Sequence, residues 1–253
     1  MILGIIPARF ASSRLFGKIL ADIGGKPMIQ HTYENSKKSN LLNEVILAVD
    51  DEKVAKTAKG FGAKVVMTPK DIQSGSDRAA YVINNFPEAE IIVNIQGDEP
   101  FIKGTMIDQA IEPLLFDKSV NVSTLAKRID SVEELRSPSV VKVVFDYNNF
   151  AMYFSRSPIP FVRDAKTNSE KIQLAEIYKH IGLYVFRRDY LLKFIKLQPT
   201  DLEKTEKLEQ LRMLENGFKI KIVTTEFDIL SVDTPDDLER ARKYYQKYIL
   251  KKK

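Results

Sequence analysis

Three cations within ten residues, Arg9, Arg14 and Lys18, follow the first apolar run of the chain, residues 2–6. They are interleaved with small residues: Ala8, Ala11, Ser12, Ser13 and Gly17. Small residues let backbone N–H groups approach a polyphosphate closely, and cations neutralise it. An ordinary solvated loop can share this composition, but the position favours a phosphate. A loop directly after a buried first strand lies outside the carboxyl ends of the strands, where open α/β sheets bind ligands. The loop is neither a Walker A element, since Ile19 follows Lys18 and position 12 is not Gly, nor a G-x-G-x-x-G fingerprint. A second stretch, Gln96-Gly97-Asp98-Glu99-Pro100, follows another fully apolar run. A carboxylate just beyond a buried strand and held by a Gly turn is a common way to present a metal ligand, which makes Asp98 a candidate; the plain alternative is an acidic turn. A third stretch, Ser74-Gly75-Ser76-Asp77-Arg78, opens a helix. It offers unpaired N–H groups to an anion or base, with Arg78 one turn in, or it is a simple N-cap with a surface Arg.

The elements that must position these residues alternate between strand and helix, which implies a parallel sheet with crossover helices. Residues 2–6 form the first strand, ended by Pro7, which has no N–H for the ladder. Pro27 opens a helix reaching about residue 39. Strands are expected over 44–49, 63–67, 90–95, 120–126 and 140–145, with helices over 52–61, 74–85 and 106–115. Asp50 could hold a ribose hydroxyl or a base, or either Asp50 or Asp51 caps the helix at 52–61. The prolines at 158 and 160 limit helix and ladder alike, and residues 164–175 read as a polar loop. A strand over 182–186, one long helix over 202–216 closed by Gly217, and an alternating strand over 219–225 follow. Thr234 and Asp237 make a near-capping box with Pro235 at the first helical position, which leaves Asp233 unexplained.

The chain has 253 residues, 44% of them hydrophobic, enough for one large α/β domain with a substantial core. It has no Cys, which excludes disulfides and thiol catalysis and suits a cytoplasmic location. Two His cannot build a His-rich metal site, so any metal must be held by carboxylates, favouring Mg²⁺ or Mn²⁺. No apolar run is long enough for a transmembrane helix, no signal peptide is evident, and no membrane insertion is expected. Much of the net charge of +5 sits in the basic tail RKYYQKYILKKK, which reads as a solvated, fraying helix or as a nucleic-acid or membrane contact.

The first loop, PARFASSRLFGK, resembles the P-A-R-x-x-S-x-R-L-x-G-K signature of sugar-activating cytidylyltransferases, and most closely the CMP-KDO synthetase (3-deoxy-manno-octulosonate cytidylyltransferase) family. The resemblance continues along nearly the whole chain: SGSDR is similar to S-G-T-[DE]-R, QGDEP to the metal-binding element, and AMYFSRSPIP to A-x-Y-F-S-R-x-x-I-P. HIGLY, LEQLR and VDTPDD complete the set. Phe16 and Ile19 stand where the family usually has Pro.

The resemblance implies a Rossmann-like, mostly parallel sheet flanked by helices, with a smaller sugar-binding and dimerisation portion, the whole of 1–253 being a single α/β nucleotidyltransferase domain. It implies that Pro7, Ala8, Arg9, Arg14, Lys18, Ser74, Gly75, Arg78 and Gln96 bind the nucleotide. Gln96, Arg156, His180, Tyr184, Glu209 and Gln210 would contact the sugar, His180 and Tyr184 as hydrogen-bond donors. Asp98 and Asp233 would hold Mg²⁺, and with Lys18 they form the catalytic set. The implied reaction transfers CMP from CTP to the anomeric hydroxyl of 3-deoxy-manno-octulosonate, releasing pyrophosphate and activating the sugar for lipopolysaccharide synthesis. A homodimer is implied as well. The partners are then CTP and an eight-carbon sugar acid, with no nucleic acid. The alternatives are a cytidylyltransferase for the 8-amino analogue or a sialic-acid-like sugar, or a related enzyme using another nucleotide. A metal-dependent glycosyltransferase lacks its D-x-D-like pair at Asp98-Glu99-Pro100. A basic nucleotide- or RNA-binding protein draws slight support from Tyr244, Tyr245 and Tyr248 among the tail cations.

Overall fold

β1 (Ile2–Ala8) is the middle of the first sheet, and its Leu3, Ile5 and Ile6 are fully buried. Each such side chain contributes roughly 1.5–3 kcal/mol on burial. The computed structural model describes residues 1–11, 15–72 and 74–250. After β1 come a short hairpin of β2 (Asp22–Ile23) and β3 (Lys26–Pro27), then α1 (Met28–Ser36), β4 (Glu44–Val49), α2 (Glu52–Gly60) and β5 (Lys64–Met67). They are followed by α3 (Gly75–Val82), β6 (Ile91–Asn94) and α4 (Gly104–Phe116). Next are β7 (Val122–Arg128), α5 (Val132–Arg136), β8 (Lys142–Phe145), β9 (Ala151–Ser155), α6 (Asn168–Leu174), β10 (Tyr178–Arg187) and α7 (Arg188–Phe194). The chain closes with α8 (Asp201–Glu206), α9 (Gln210–Glu215), β11 (Lys221–Thr224) and α10 (Pro235–Tyr244).

The chain read as one domain packs as two compact units, 1–108 with 229–253, and 109–228. The first contains four parallel strands in the order β5-β4-β1-β6. β4 and β5 extend the sheet to one side of β1, and β6 is then laid on the other side. The strand order therefore reverses at β1, and the carboxyl ends of β1 and β6 flank a switch point of the kind that receives ligands. Pro7 does not end β1. It is paired in register with Ala48, and the strand runs on to Ala8. The Ile5 carbonyl accepts from Ile95 N–H, and Pro7, two residues on, turns its nitrogen to the same side, past the last β6 pair. The missing N–H therefore costs the ladder nothing.

The second unit is mixed. β11 pairs parallel with β7, while β7–β10, β10–β8 and β8–β9 are antiparallel. Three expectations are corrected here. Residues 168–174 are the helix α6, capped by the Thr167 side chain on Glu170 N–H. The stretch before the prolines at 158 and 160 forms the strand β9, paired with β8. The single helix expected over 202–216 is two, α8 and α9, broken at Lys207 with φ 54°. The carbonyls of Glu206 and Lys207 leave the helix ladder there and accept from Arg156. In the first unit, α1 stops at Ser36: Lys37 N–H still reaches the Tyr33 carbonyl, and the Lys38 and Ser39 N–H groups then take tighter bonds three residues back, to Asn35 and Ser36. No helix among the described residues is long and apolar enough to cross a membrane.

Candidate active site

A cavity of about 590 Å³ opens at the carboxyl ends of β1 and β6, within the size range of small-ligand sites. Pro7, Arg9 and Ala11 reach it from the end of β1; Lys18 and Ile19 come from the following 3₁₀ turn. Gly75 and Arg78 reach it from α3, and Gln96, Gly97 and Asp98 from the turn after β6. A Cβ at Gly97 would stand 2.7 Å from the Pro7 carbonyl oxygen and 2.9 Å from Ile19 Cδ1. Only glycine lets the 96–98 turn pass this close beneath β1. Ile19, one of the two departures from the family pattern, is buried against that turn; Phe16, the other, is exposed with its ring edge-on to Phe10.

Lys18 Nζ donates to Asp98 Oδ2 at 2.6 Å and to Asp233 Oδ1 at 2.8 Å. Residues 135 positions apart (233 − 98) thus share one ammonium. Two backbone devices bring them together. Val232 N–H donates to the Asp98 carbonyl at 3.0 Å. One residue on, Asp237 accepts both the Asp233 and Thr234 N–H groups, completing the capping box of α10. The capping box is therefore what aims Asp233. Burial lowers the Lys18 pKa, but the two carboxylates outweigh it and the net shift is upward, so the ammonium stays charged. Glu99, which sequence reasoning passed over, is buried and accepts from Ser231 Oγ. Burial, with Asp98 alongside, pushes its pKa up to about 8.

Among the described residues, no three His, Cys, Asp or Glu side chains gather as a metal cluster. Asp98 and Asp233 still fit a small hard cation. Their oxygens already converge on one positive charge, the Lys18 ammonium, and Mg²⁺ commonly takes one or two carboxylates plus substrate phosphate and water.

Of the other residues expected at the nucleotide, Pro7, Arg9, Gly75, Arg78 and Gln96 line the cavity. Ala8 is buried in β1, and Ser74 caps α3 by accepting the Asp77 N–H at 3.0 Å. Arg14 lies outside the described residues. Arg78 is not a surface side chain. It is fully buried, with Nη2 3.2 Å from Asp50 Oδ2, and it donates to the Thr68 hydroxyl and the Pro69 and Ile72 carbonyls. Burial lowers its pKa against the pull of Asp50. Asp51, not Asp50, caps α2.

The expected sugar contacts other than Gln96 belong to the second unit. The Thr124 hydroxyl donates to the Leu183 carbonyl at 2.7 Å, so His180 Nε2, 2.9 Å from Thr124 Oγ1, is the donor in that pair. Burial pushes the His180 pKa down to about 3, leaving it neutral and no general base at ordinary pH. The Tyr184 ring lies 5.3 Å from that of His180; its hydroxyl is shut off from solvent and has no hydrogen-bond partner among the described residues. Burial and then Glu209 raise its pKa well above 10. An orphan hydroxyl of this kind calls for a ligand or water oxygen. Gln210 is buried at the start of α9, one residue after Glu209. Arg156 gives Nε, Nη1 and Nη2 to the carbonyls of Glu206, Pro138 and Lys207, at 2.7, 2.8 and 3.2 Å. Its backbone N–H donates to the Glu206 carboxylate at 3.0 Å. Two of these side-chain bonds thus hold the α8–α9 break and the third ties it to Pro138, a role sequence did not suggest.

A cytidylyltransferase family model matches residues 3–222. The 3-deoxy-manno-octulosonate cytidylyltransferase of Geobacter sulfurreducens is 51% identical over 244 residues, covering 95% of this chain and 97% of the relative. The enzyme of the same name from Geobacter metallireducens is 52% identical over 245 residues, covering 95% and 96%. A solved structure of CMP:2-keto-3-deoxy-manno-octonic acid synthetase complexed with CTP superposes with a TM-score of 0.91 at 40% identity, covering 98% of this chain and 99% of that one. The 4-diphosphocytidyl-2C-methyl-D-erythritol synthase of Anaerococcus prevotii, at 16% identity and a TM-score of 0.61, shares the fold. With a matching model over most of its length and relatives this close over nearly all of it, the chain belongs to the 3-deoxy-manno-octulosonate cytidylyltransferase family.

Proposed function

We propose that this protein transfers CMP from CTP to the anomeric hydroxyl of 3-deoxy-manno-octulosonate. The sugar oxygen bonds to the α-phosphorus, the bond from that phosphorus to pyrophosphate breaks, and the hydroxyl proton passes to solvent. The observation that carries the reading is the cavity at the β1–β6 switch point, with Lys18 and Asp98 on its wall and Asp233 bonded to the same ammonium. Arg9 holds the triphosphate there. Lys18 offsets charge developing on the α-phosphate, and Asp98 and Asp233 hold Mg²⁺. When bound, Mg²⁺ supplies charge that lowers the pKa of an attacking hydroxyl and neutralises phosphate oxygens. The chain's own work is positioning, because phosphoryl-group chemistry asks for alignment and charge more than for covalent help. In the second unit, His180 and Tyr184 present neutral polar groups to sugar hydroxyls, while Glu209 and Gln210 add an acceptor and an amide. A homodimer is carried over from the family and is read by sedimentation.

The test is pyrophosphate release with CTP, Mg²⁺ and 3-deoxy-manno-octulosonate, beside the 8-amino analogue. Release with the parent sugar, lost by at least about a hundredfold in a folded Asp98→Asn variant, is the expected result. Release only with the analogue moves the substrate and keeps the chemistry. No release with any nucleoside triphosphate ends the proposal.

A further inference from the structure

Asp50 stands immediately past β4, beside the start of the cationic loop. The register of the sheet puts it there: Ala8 pairs with Val49, so Arg9 and Asp50 are the next residues on each strand. The side chain is buried, and its two oxygens are used separately. Oδ1 accepts the Phe10 backbone N–H at 2.9 Å. Oδ2 lies 3.2 Å from Arg78 Nη2 and 3.8 Å from Arg9 Nε. The neighbouring helix makes no demand on it, since Asp51 caps α2.

One carboxylate thus stands between two guanidiniums. The two arginines play different parts. Arg78 is fully buried and needs a counter-charge to be there at all. Arg9 has 41% of its side chain exposed and lines the cavity, so it is the one able to turn its charge on a ligand. A guanidinium on a mobile stem loses rotamer freedom when it binds, and a partner that restrains it beforehand reduces that loss. We propose that Asp50 is a positioning residue for nucleotide binding: it fixes the backbone at Phe10 and holds Arg9 on the cavity wall, so that a triphosphate meets a cation already placed. That the polyanion is the triphosphate of CTP rests on the proposed function.

The test uses the full chain. Asp50→Asn keeps an oxygen for Phe10 N–H and removes the charge. The KM for CTP is expected to rise about tenfold while kcat stays within about twofold, and calorimetric CTP affinity should fall in step. In an Arg9→Met background the same substitution should cost no further affinity, because Asp50 acts through Arg9. Should Asp50→Asn fail to fold for want of a partner to Arg78, Asp50→Glu keeps the charge and shifts it by a methylene; its KM should rise about threefold. An unchanged KM in a folded variant, a loss confined to kcat, or a loss fully additive with Arg9→Met overturns the proposal. If the wild-type chain turns over no CTP, the proposed function fails alone. Asp50 is then judged by calorimetry with inorganic tripolyphosphate: weaker binding in the variant supports it and equal binding overturns it.

Discussion

Lys18 holds Asp98 and Asp233 as a cation of the protein's own making, and a divalent ion seeking the same oxygens has to compete with it. Replacing Lys18 by Met should therefore raise the affinity for Mn²⁺ in the absence of nucleotide by about tenfold, read by electron paramagnetic resonance. The same variant should lose turnover, since the α-phosphate loses its ammonium. Weaker metal binding in the variant would sink the idea of competition. At this scale much was legible, because the residue types that handle phosphate are few. What the sequence did not reveal is which charges were already spoken for. Arg78 and Arg156 read as ligand-facing cations; Arg78 does line the cavity but is also held by Asp50, and Arg156 is bonded to three carbonyls. A side chain's partner is a tertiary fact, and no spacing along the chain encodes it. Glu99 was overlooked for a related reason: its partner, Ser231, is 132 positions away.

The elements show where local pattern was enough and where it failed. β1, β4 and β6 were legible because parallel strands buried on both faces read as unbroken apolar runs. The α8–α9 break was not, because no Gly or Pro marks it; Lys207 is held at φ 54° by the bonds of Arg156 to the flanking carbonyls. Lys207→Gly should leave stability within about 1 kcal/mol of the parent, whereas Lys207→Val should lower it by about 1–2 kcal/mol, compared by urea midpoints. The turn after β6 makes a stricter demand. Gly97→Ala must push backbone apart, since Pro7 O is 2.7 Å from the new Cβ. It should cost more activity than stability, because Asp98 is the next residue; a variant with unaltered pyrophosphate release would count against this.

For the whole molecule, acid is the expected weakness of the second unit. Burial raises the carboxyl pKa of Glu203 and Glu206, but the Arg212 fork on the first, and Ser155 and Arg156 N–H on the second, outweigh it and both end below the usual 4.5. A carboxylate with a lowered folded pKa stabilises above its unfolded pKa, and that contribution is lost as pH falls through the folded value. Thermal melting between pH 7 and pH 3 should thus drop steeply below about pH 4.5, with a shallower limb in Glu206→Gln; equal limbs would remove Glu206 as a cause.

The first unit is built from two separated pieces of chain, and its two carboxylates are divided between them: Asp98 lies on the early piece and Asp233 on the late one. On a ribosome, the strands β1, β4, β5 and β6 emerge first, and all of 109–228 must be made before Asp233 appears. A nascent or interrupted chain then has Asp98 without Asp233, and the carboxylate pair that Lys18 joins is complete only once the segment opening the last helix has been made.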